Sequence, residues 1–501
     1  MRFVLLILLF TPAIWADSNA LSDKTNFDFP NGVPEPILQN LSPGIFYMGL
    51  YTRQDFYDWS NQHWHKAITD SDLEFLDSVG FRSIRLMFSL EPILFPECVG
   101  GRSSQSLKCA QNLIKQGRLA EFSNRGSDLN YLSKKRYAQL LSHVRRLVKN
   151  SSQYIVIVPS GRQRDGKQNG EYWAEATTVL SLSMQRKTEG AESAFTYLWQ
   201  MLATDLADIP SERLGFELYN EPEFCYDNAR ILEPDMWKGI ATKTVDLVRS
   251  VAPNHTIFVS GICKGLGLRR NKEGGFKYPI TQMGIPIERD NIVYVFHAYP
   301  DEKYSNQDFS ELTRNGEPFV KPNRVKLKQF KGGASRINSW RQLHEVPVWL
   351  NEFGANIPTK KYKYFEEAVN ARAKWARSIV SDLEAFNIPY SWSKFGLSRR
   401  PFLNSFREYG VEKKRVPDCQ LLKSLRVDCA VAYVATETTT DATDKHLKNL
   451  KSEVNSIEPK TKMICTNALG AWTQQKTNNK WIKKAEDLGL DEQQCRAMIR
   501  R

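Results

Sequence analysis

Two glutamates in this chain close apolar, aromatic-rich runs of strand character. The first run is Gly215-Phe216-Glu217-Leu218-Tyr219-Asn220-Glu221-Pro222. Proline has no N–H for a ladder and restricts the residue before it, so the strand must stop at Glu221. The second is Val346-Pro347-Val348-Trp349-Leu350-Asn351-Glu352-Phe353-Gly354. Two carboxylates presented at strand ends are what cleavage of a glycosidic bond requires, one as proton donor and the other as nucleophile or base. Either glutamate taken alone reads equally as a solvated strand cap. Within the first run, Glu217 reads as structural, inside the strand, and Glu221 as chemical.

The elements that must position these carboxylates follow a regular alternation. Apolar runs of strand length start at Gly44, Phe81, Tyr154, Gly215, His255, Asn291, Val346 and Ile388. Helical spacing of apolar residues separates many of them, as in Tyr131 to Val148, Ala194 to Leu206, Met236 to Val251 and Tyr364 to Phe386. Eight short strands alternating with helices predict an α/β fold, most simply a closed (β/α)8 TIM barrel. An open doubly wound sheet is the rival. Its Gly-rich phosphate loop is missing, since Gly265-Leu266-Gly267-Leu268 is too sparse.

In a barrel every strand's C-terminal end meets at one face, so residues distant in sequence converge. The polar strand-end residues are Arg85, Asn220, Glu221, His297, Tyr299, Glu352 and Trp392. Together they supply a cation, two carboxylates and a ring on which a sugar can stack.

This ordered set resembles glycoside hydrolase family 5, a cellulase-like group of retaining glycosidases on the (β/α)8 barrel. The residues that carry it are Ile84-Arg85, Asn220-Glu221-Pro222, His297-Ala298-Tyr299, Asn351-Glu352-Phe353-Gly354 and Trp392, spanning roughly Gly44 to Trp392. The resemblance implies Glu221 as acid and then base, and Glu352 as the nucleophile that forms a glycosyl-enzyme ester. It implies that Arg85 and Tyr299 hydrogen-bond Glu352 and favour its charge, which in turn keeps Glu221 protonated. Asn220 is then expected on the sugar 2-hydroxyl, His297 beside the acid or Tyr299, and Trp392 as a floor for the sugar. No metal and no cofactor are required. A histidine usual in the family at the third strand's end is replaced here by Val158-Pro159-Ser160-Gly161-Arg162, which points to an atypical subfamily. Trp64, Tyr172 and Trp173 are further candidates for sugar contact. His63 and His65, two residues apart without a third ligand nearby, do not make a metal site.

Composition bounds the rest. With 501 residues, 41% apolar and 25% charged, the chain is globular and large enough for one big domain with an appendage. A short positive start, the apolar run Phe3 to Phe10 and small residues at Ala16 and Ala20 predict a signal peptide over 1–20 and a secreted, extracellular or periplasmic, protein. Residues 21–430 are expected to form the barrel, 431–445 a Thr-rich linker and 446–501 a small basic helical module. Eight cysteines without a C-x-x-C pair suit disulfides rather than zinc or thioredoxin-like chemistry. Pairings of Cys98 with Cys109, Cys225 with Cys263, Cys419 with Cys429 and Cys465 with Cys495 are one arrangement the spacing allows.

The expected partner is a β-linked polysaccharide or oligosaccharide substrate, β-glucan first, and the protein is expected to be a monomer. The net charge of +13 adds an acidic glycan or cell envelope, bound through the basic C-terminal module, and nucleic acid is not expected. Two other readings use the same residues: a non-catalytic carbohydrate-binding or adhesion protein, and a transglycosylase.

Overall fold

The computed structural model describes residues 31–50, 68–98, 103–120, 134–160, 180–222, 234–265, 269–270, 276–277, 286–356, 358, 362–393, 406–409 and 414–428, apart from isolated positions within these ranges. Eight strands pair in parallel: β1 Gly44–Leu50, β2 Ser83–Ser89, β3 Tyr154–Ser160, β4 Leu214–Glu217, β5 Ile257–Gly265, β6 Ile292–His297, β7 Val348–Phe353 and β8 Tyr390–Trp392. Their order round the closed barrel is β1-β8-β7-β6-β5-β4-β3-β2. Closure rests on Gly44 opposite Ser391 and Ile45 opposite Trp392. The fold is therefore the (β/α)8 TIM barrel.

Alternation along each strand sorts the side chains into two layers. Ile84, Leu86, Ile155, Ile157, Leu214, Phe216, Ile257 and Val259 face outward and join one large core with the helices. Tyr154, Val156, Phe258, Val293, Val295 and Trp349 form a separate inner cluster. Val33, Ile37, Leu38 and Leu41, on and around the short helix Glu35–Asn40, plug it from below. On β4 the inner positions are Gly215 and Glu217. A Cβ on Gly215 would stand 2.4 Å from the Tyr154 hydroxyl and 2.6 Å from the Phe258 ring, so only glycine lets β4 close against its neighbours.

Among the helices are α1 Asp70–Val79, α2 Ser103–Lys115, α3 Lys134–Asn150, α4 Ala191–Leu206, α5 Pro234–Val251, α6 Arg324–His344, α7 Phe365–Glu384 and α8 Cys419–Ser424. α4 buries Ala194, Phe195, Leu198, Trp199, Leu202 and Leu206, the three-to-four spacing of a single apolar stripe. Two of these helices also tether strand ends. The indole N–H of Trp199 on α4 donates to Leu218 O, and that of Trp237 on α5 to Ser260 O, each at 2.9 Å.

One expectation shifts. β4 stops at Glu217 rather than Glu221, because its neighbour β3 reaches Pro159, which has no N–H to return a ladder bond. Asn220 N still donates to Pro159 O at 2.9 Å, so the chain stays attached to β3 as it leaves the sheet. β5 runs on to Gly265. Between β5 and β6, the described residues carry only the two-residue hairpin 269–270 with 276–277.

Cys98 and Cys109 form the expected disulfide, with Cα atoms 5.5 Å apart, and Cys419 is also disulfide-bonded. The other pairings, the stretch 1–20, Trp64, Tyr172, Trp173, Arg162 and the C-terminal module lie outside the described residues or side chains. The chain divides into two compact units, Met1–Val434 and Ala435–Arg501. Among the described residues no helix is long and apolar enough to cross a membrane.

One buried histidine gives the fold a pH dependence. His143 on α3 is 7% exposed, and burial, with Arg146 adding to it, pushes it down to about 4 from 6.5. The native state keeps this ring neutral where the unfolded chain binds a proton. Its penalty is absent above pH 6.5 and grows as pH falls towards about 4, reaching about 3 kcal/mol. Urea denaturation between pH 7 and 4 should show this loss, and His143→Leu should flatten it. An equally steep profile in the variant would place the loss elsewhere.

Candidate active site

The site is built from the inner face of β2 and β4 outward. Arg85 on β2 is completely buried, and Glu217 on β4 takes it in a fork: Nε lies 2.6 Å from Oε2 and Nη2 2.7 Å from Oε1. Asn351 Nδ2 donates to Glu217 Oε2 at 2.9 Å, and Ser260 Oγ lies 3.3 Å from Oε1. The Phe46 ring backs the guanidinium, 4.6 Å from its carbon. So fixed, Arg85 has three N–H groups left, and two of them reach the site. Nη2 donates to Asn220 Oδ1 at 2.8 Å, and Nη1 to Glu352 Oε2 at 3.2 Å.

After β4 the backbone turns sharply to deliver Glu221. Leu218 N donates to Phe258 O at 3.0 Å, holding the chain to β5 while Asn220 holds it to β3. Glu221 itself has φ of 48°, a left-handed conformation that costs a residue with a Cβ about 1–2 kcal/mol. Such strain persists only where the surroundings over-determine it.

β6 and β7 complete the cluster. His297 Nδ1 is 3.0 Å from Glu221 Oε1 and 3.4 Å from Glu352 Oε2. One oxygen from each glutamate and one histidine nitrogen all lie within 4.8 Å of one another, the single group of metal-ligand spacing among the described residues. Tyr299 donates its hydroxyl hydrogen to Glu352 Oε1. Its oxygen is 2.9 Å from Ser393 Oγ, and since the tyrosine proton is committed to a carboxylate, the serine is the donor of that second bond.

Electrostatics keep both donors protonated. Burial, then the charge and hydrogen bond of Glu352, push the Tyr299 phenol well above its ordinary range. Burial alone would lower Arg85, but Glu217 and then Glu352 outweigh it and raise it. Glu352 thus sits between two donors that do not titrate away.

Six of the seven sequence-predicted residues meet here: Arg85, Asn220, Glu221, His297, Tyr299 and Glu352. Trp392 is placed differently. Along β8 it shares the outward face with Tyr390, is 1% exposed, and packs edge-on against Phe353 at 5.2 Å. The Arg372 guanidinium of α7 lies 5.5 Å over its ring. It forms the wall between β8 and α7 rather than an open floor. Four residues outside those seven also belong to the site: Glu217, which reads from the sequence as structural, with Ser260, Asn351 and Ser393. Glu217 left a signal, because a charged residue in the middle of an apolar strand is rarely buried without a partner. Ser260, Asn351 and Ser393 left none.

Residues 52–396 match the family model described as cellulase, glycosyl hydrolase family 5. The chain belongs to glycosyl hydrolase family 5. A stretch of 193 residues is 25% identical to Endoglucanase 3 of Fibrobacter succinogenes, covering 31% of this chain and 27% of that protein. The match therefore spans only about a quarter of that curated relative's length. Among solved structures, a hyperthermophilic endo-β-1,4-glucanase superposes with a TM-score of 0.52 at 15% identity, over 80% of this chain and 99% of that one. An endoglucanase of Thermotoga maritima gives 0.51 at 17% identity, over 78% and 100%. A broad-specificity endoglucanase of Clostridium acetobutylicum gives 0.52 at 13%, over 78% and 98%. At these identities the likeness establishes the barrel.

Proposed function

We propose that this family 5 member is a secreted retaining glycosidase that cleaves a β-linked polysaccharide, β-glucan first, by double displacement. The observation that carries the retaining reading is the closeness of Glu221 and Glu352, whose oxygens approach within 4.8 Å. Retention uses carboxyls about 5–5.5 Å apart, whereas inversion needs roughly 6.5–9.5 Å to admit a water between them. The endoglucanase names of the similar proteins support β-glucan as the substrate. The apolar start of the chain and the Cys98–Cys109 disulfide support export.

The residues divide the work as follows. An oxygen of Glu352 attacks the anomeric carbon, and the bond to the leaving sugar breaks as Glu221 gives its proton to the glycosidic oxygen. Glu352 becomes an ester and Glu221 a carboxylate. Glu221 then takes a proton from water, whose oxygen attacks the same carbon and releases Glu352. Two inversions leave the configuration as it began. Asn220 has its Oδ1 taken by Arg85, so its amide N–H groups face the sugar and suit the 2-hydroxyl. His297, between the two carboxylates, orients Glu221.

Proton NMR of a β-glucan digest tests this. The first new reducing end should be the β anomer, with α appearing only later by mutarotation. An initial α signal would sink the retaining reading, and products sized from neutral and acidic β-glycans would identify the preferred chain.

A further inference from the structure

The inner barrel holds one carboxylate more than a nucleophile needs. Arg85 meets Glu217 through two short bonds, at 2.6 and 2.7 Å, but meets Glu352 through one bond of 3.2 Å. Both members of the first pair are 0% exposed. Bidentate, charge-assisted pairing of this kind is the strong one. The positive charge of Arg85 is therefore already balanced before Glu352 is counted.

We propose that Glu217 is a positioning and charge-balancing residue for the reaction: it aims Arg85 at Glu352 while cancelling the arginine's charge, so that Glu352 is held but not trapped as an anion. The proposal rests on the roles given above to Glu221 and Glu352. Arg85, Glu217 and Glu352 together carry one negative charge in the free enzyme and none in the ester, the proton and charge having been exchanged with Glu221 and the leaving oxygen. Without Glu217 the same three positions would go from neutral to a buried net cation. That cation stabilises the free Glu352 carboxylate and does nothing for the ester. It would also stand beside a transition state in which the sugar itself becomes positive. The penalty falls on forming the ester, because only the starting state there holds the full Glu352 charge. Breaking the ester passes through a similarly positive sugar but returns to Glu352 the charge that the cation favours, so the two effects offset and that step is spared.

Asn351 and Ser260 fit this role. Asn351 donates an amide N–H to Glu217 at 2.9 Å, and Ser260, whose hydroxyl hydrogen goes to Tyr219 O at 2.7 Å, stands 3.3 Å away as a neutral neighbour, so neither adds a second charge.

The test separates the two chemical steps with dinitrophenyl β-cellobioside, whose good leaving group makes ester hydrolysis rate-limiting and gives a burst of dinitrophenolate. In Glu217→Gln, kcat/KM should fall on the order of 10²-fold, the size of effect seen when one charge-stabilising group is removed. The steady-state kcat should stay within about three-fold, and the burst should slow or vanish. A proportional fall in both, or no change in either, overturns the proposal, since loosened packing would affect both steps. Glu217→Asp keeps the charge and serves if the glutamine variant does not fold. Its two parameters should change together, and a selective loss of kcat/KM there overturns the charge argument. A wild-type enzyme without a burst, releasing the α anomer first, would remove the retaining mechanism itself rather than the role of Glu217 alone, and the proposal would fall with it.

Discussion

Glu352→Gly is expected to lose roughly 10⁴- to 10⁶-fold in kcat on aryl β-glycosides, the scale found when one member of a covalent catalytic unit is deleted. Azide should restore turnover and leave an α-glycosyl azide. The reasoning is geometric. Glu352 is gripped from two sides, by Arg85 Nη1 and by the Tyr299 hydroxyl, and its oxygen lies beside that of Glu221. Removing the side chain vacates the face from which the anomeric carbon is attacked, and leaves the donors that held a carboxylate there. A small anion fits that space and those donors, and a single displacement by it inverts the centre. The fold should tolerate the change, because Arg85 keeps its buried partner Glu217. Product NMR and circular dichroism check both halves. A variant with near wild-type activity, or a β-azide, would take the nucleophile's role from Glu352.

The sequence revealed the barrel and most of this site because both depend on signals that survive without a structure. Short apolar runs bounded by polar residues mark parallel strands. A barrel brings their ends together whatever the helices do, so Arg85, Glu221, His297, Tyr299 and Glu352 could be gathered in advance. What stayed hidden depended on parity and on backbone accounting. Glu217 and Glu221 are four residues apart in one peptide. Only the inward turn of Gly215 and Glu217, set by the contact of Gly215 with Tyr154, shows that the first of them reaches Arg85. The early end of β4 follows from Pro159 on a different strand, a constraint no reading of 215–222 alone contains. Trp392 stands at a strand end, as the family resemblance implies, yet on β8 it alternates outward between Ser391 and Ser393, and it is Ser393 that reaches Tyr299. A serine after a tryptophan carries no periodic or chemical mark of its own.

Glu221→Gly should separate catalysis from stability. On polysaccharide the loss is expected to reach about 10⁴-fold, the upper range for removing a general acid. On dinitrophenyl β-cellobioside the leaving group needs no proton, so the ester should still form and then accumulate. Azide should release it as a β-glycosyl azide, the opposite anomer to that from Glu352→Gly. Stability should not fall in step. Glu221 occupies φ of 48°, where glycine is relaxed and glutamate costs about 1–2 kcal/mol. Against that relief stand about 0.4–1 kcal/mol for the freedom of glycine in the unfolded chain and about 1 kcal/mol for the hydrogen bond with His297. These terms nearly cancel, so the urea midpoint should sit close to that of the wild type. A loss beyond about 2 kcal/mol would mean that the carboxylate braces the loop after β4. An unchanged midpoint with collapsed activity would mean that the loop is strained to aim this carboxylate, with the bonds to β3 and β5 through Asn220 and Leu218 holding it there.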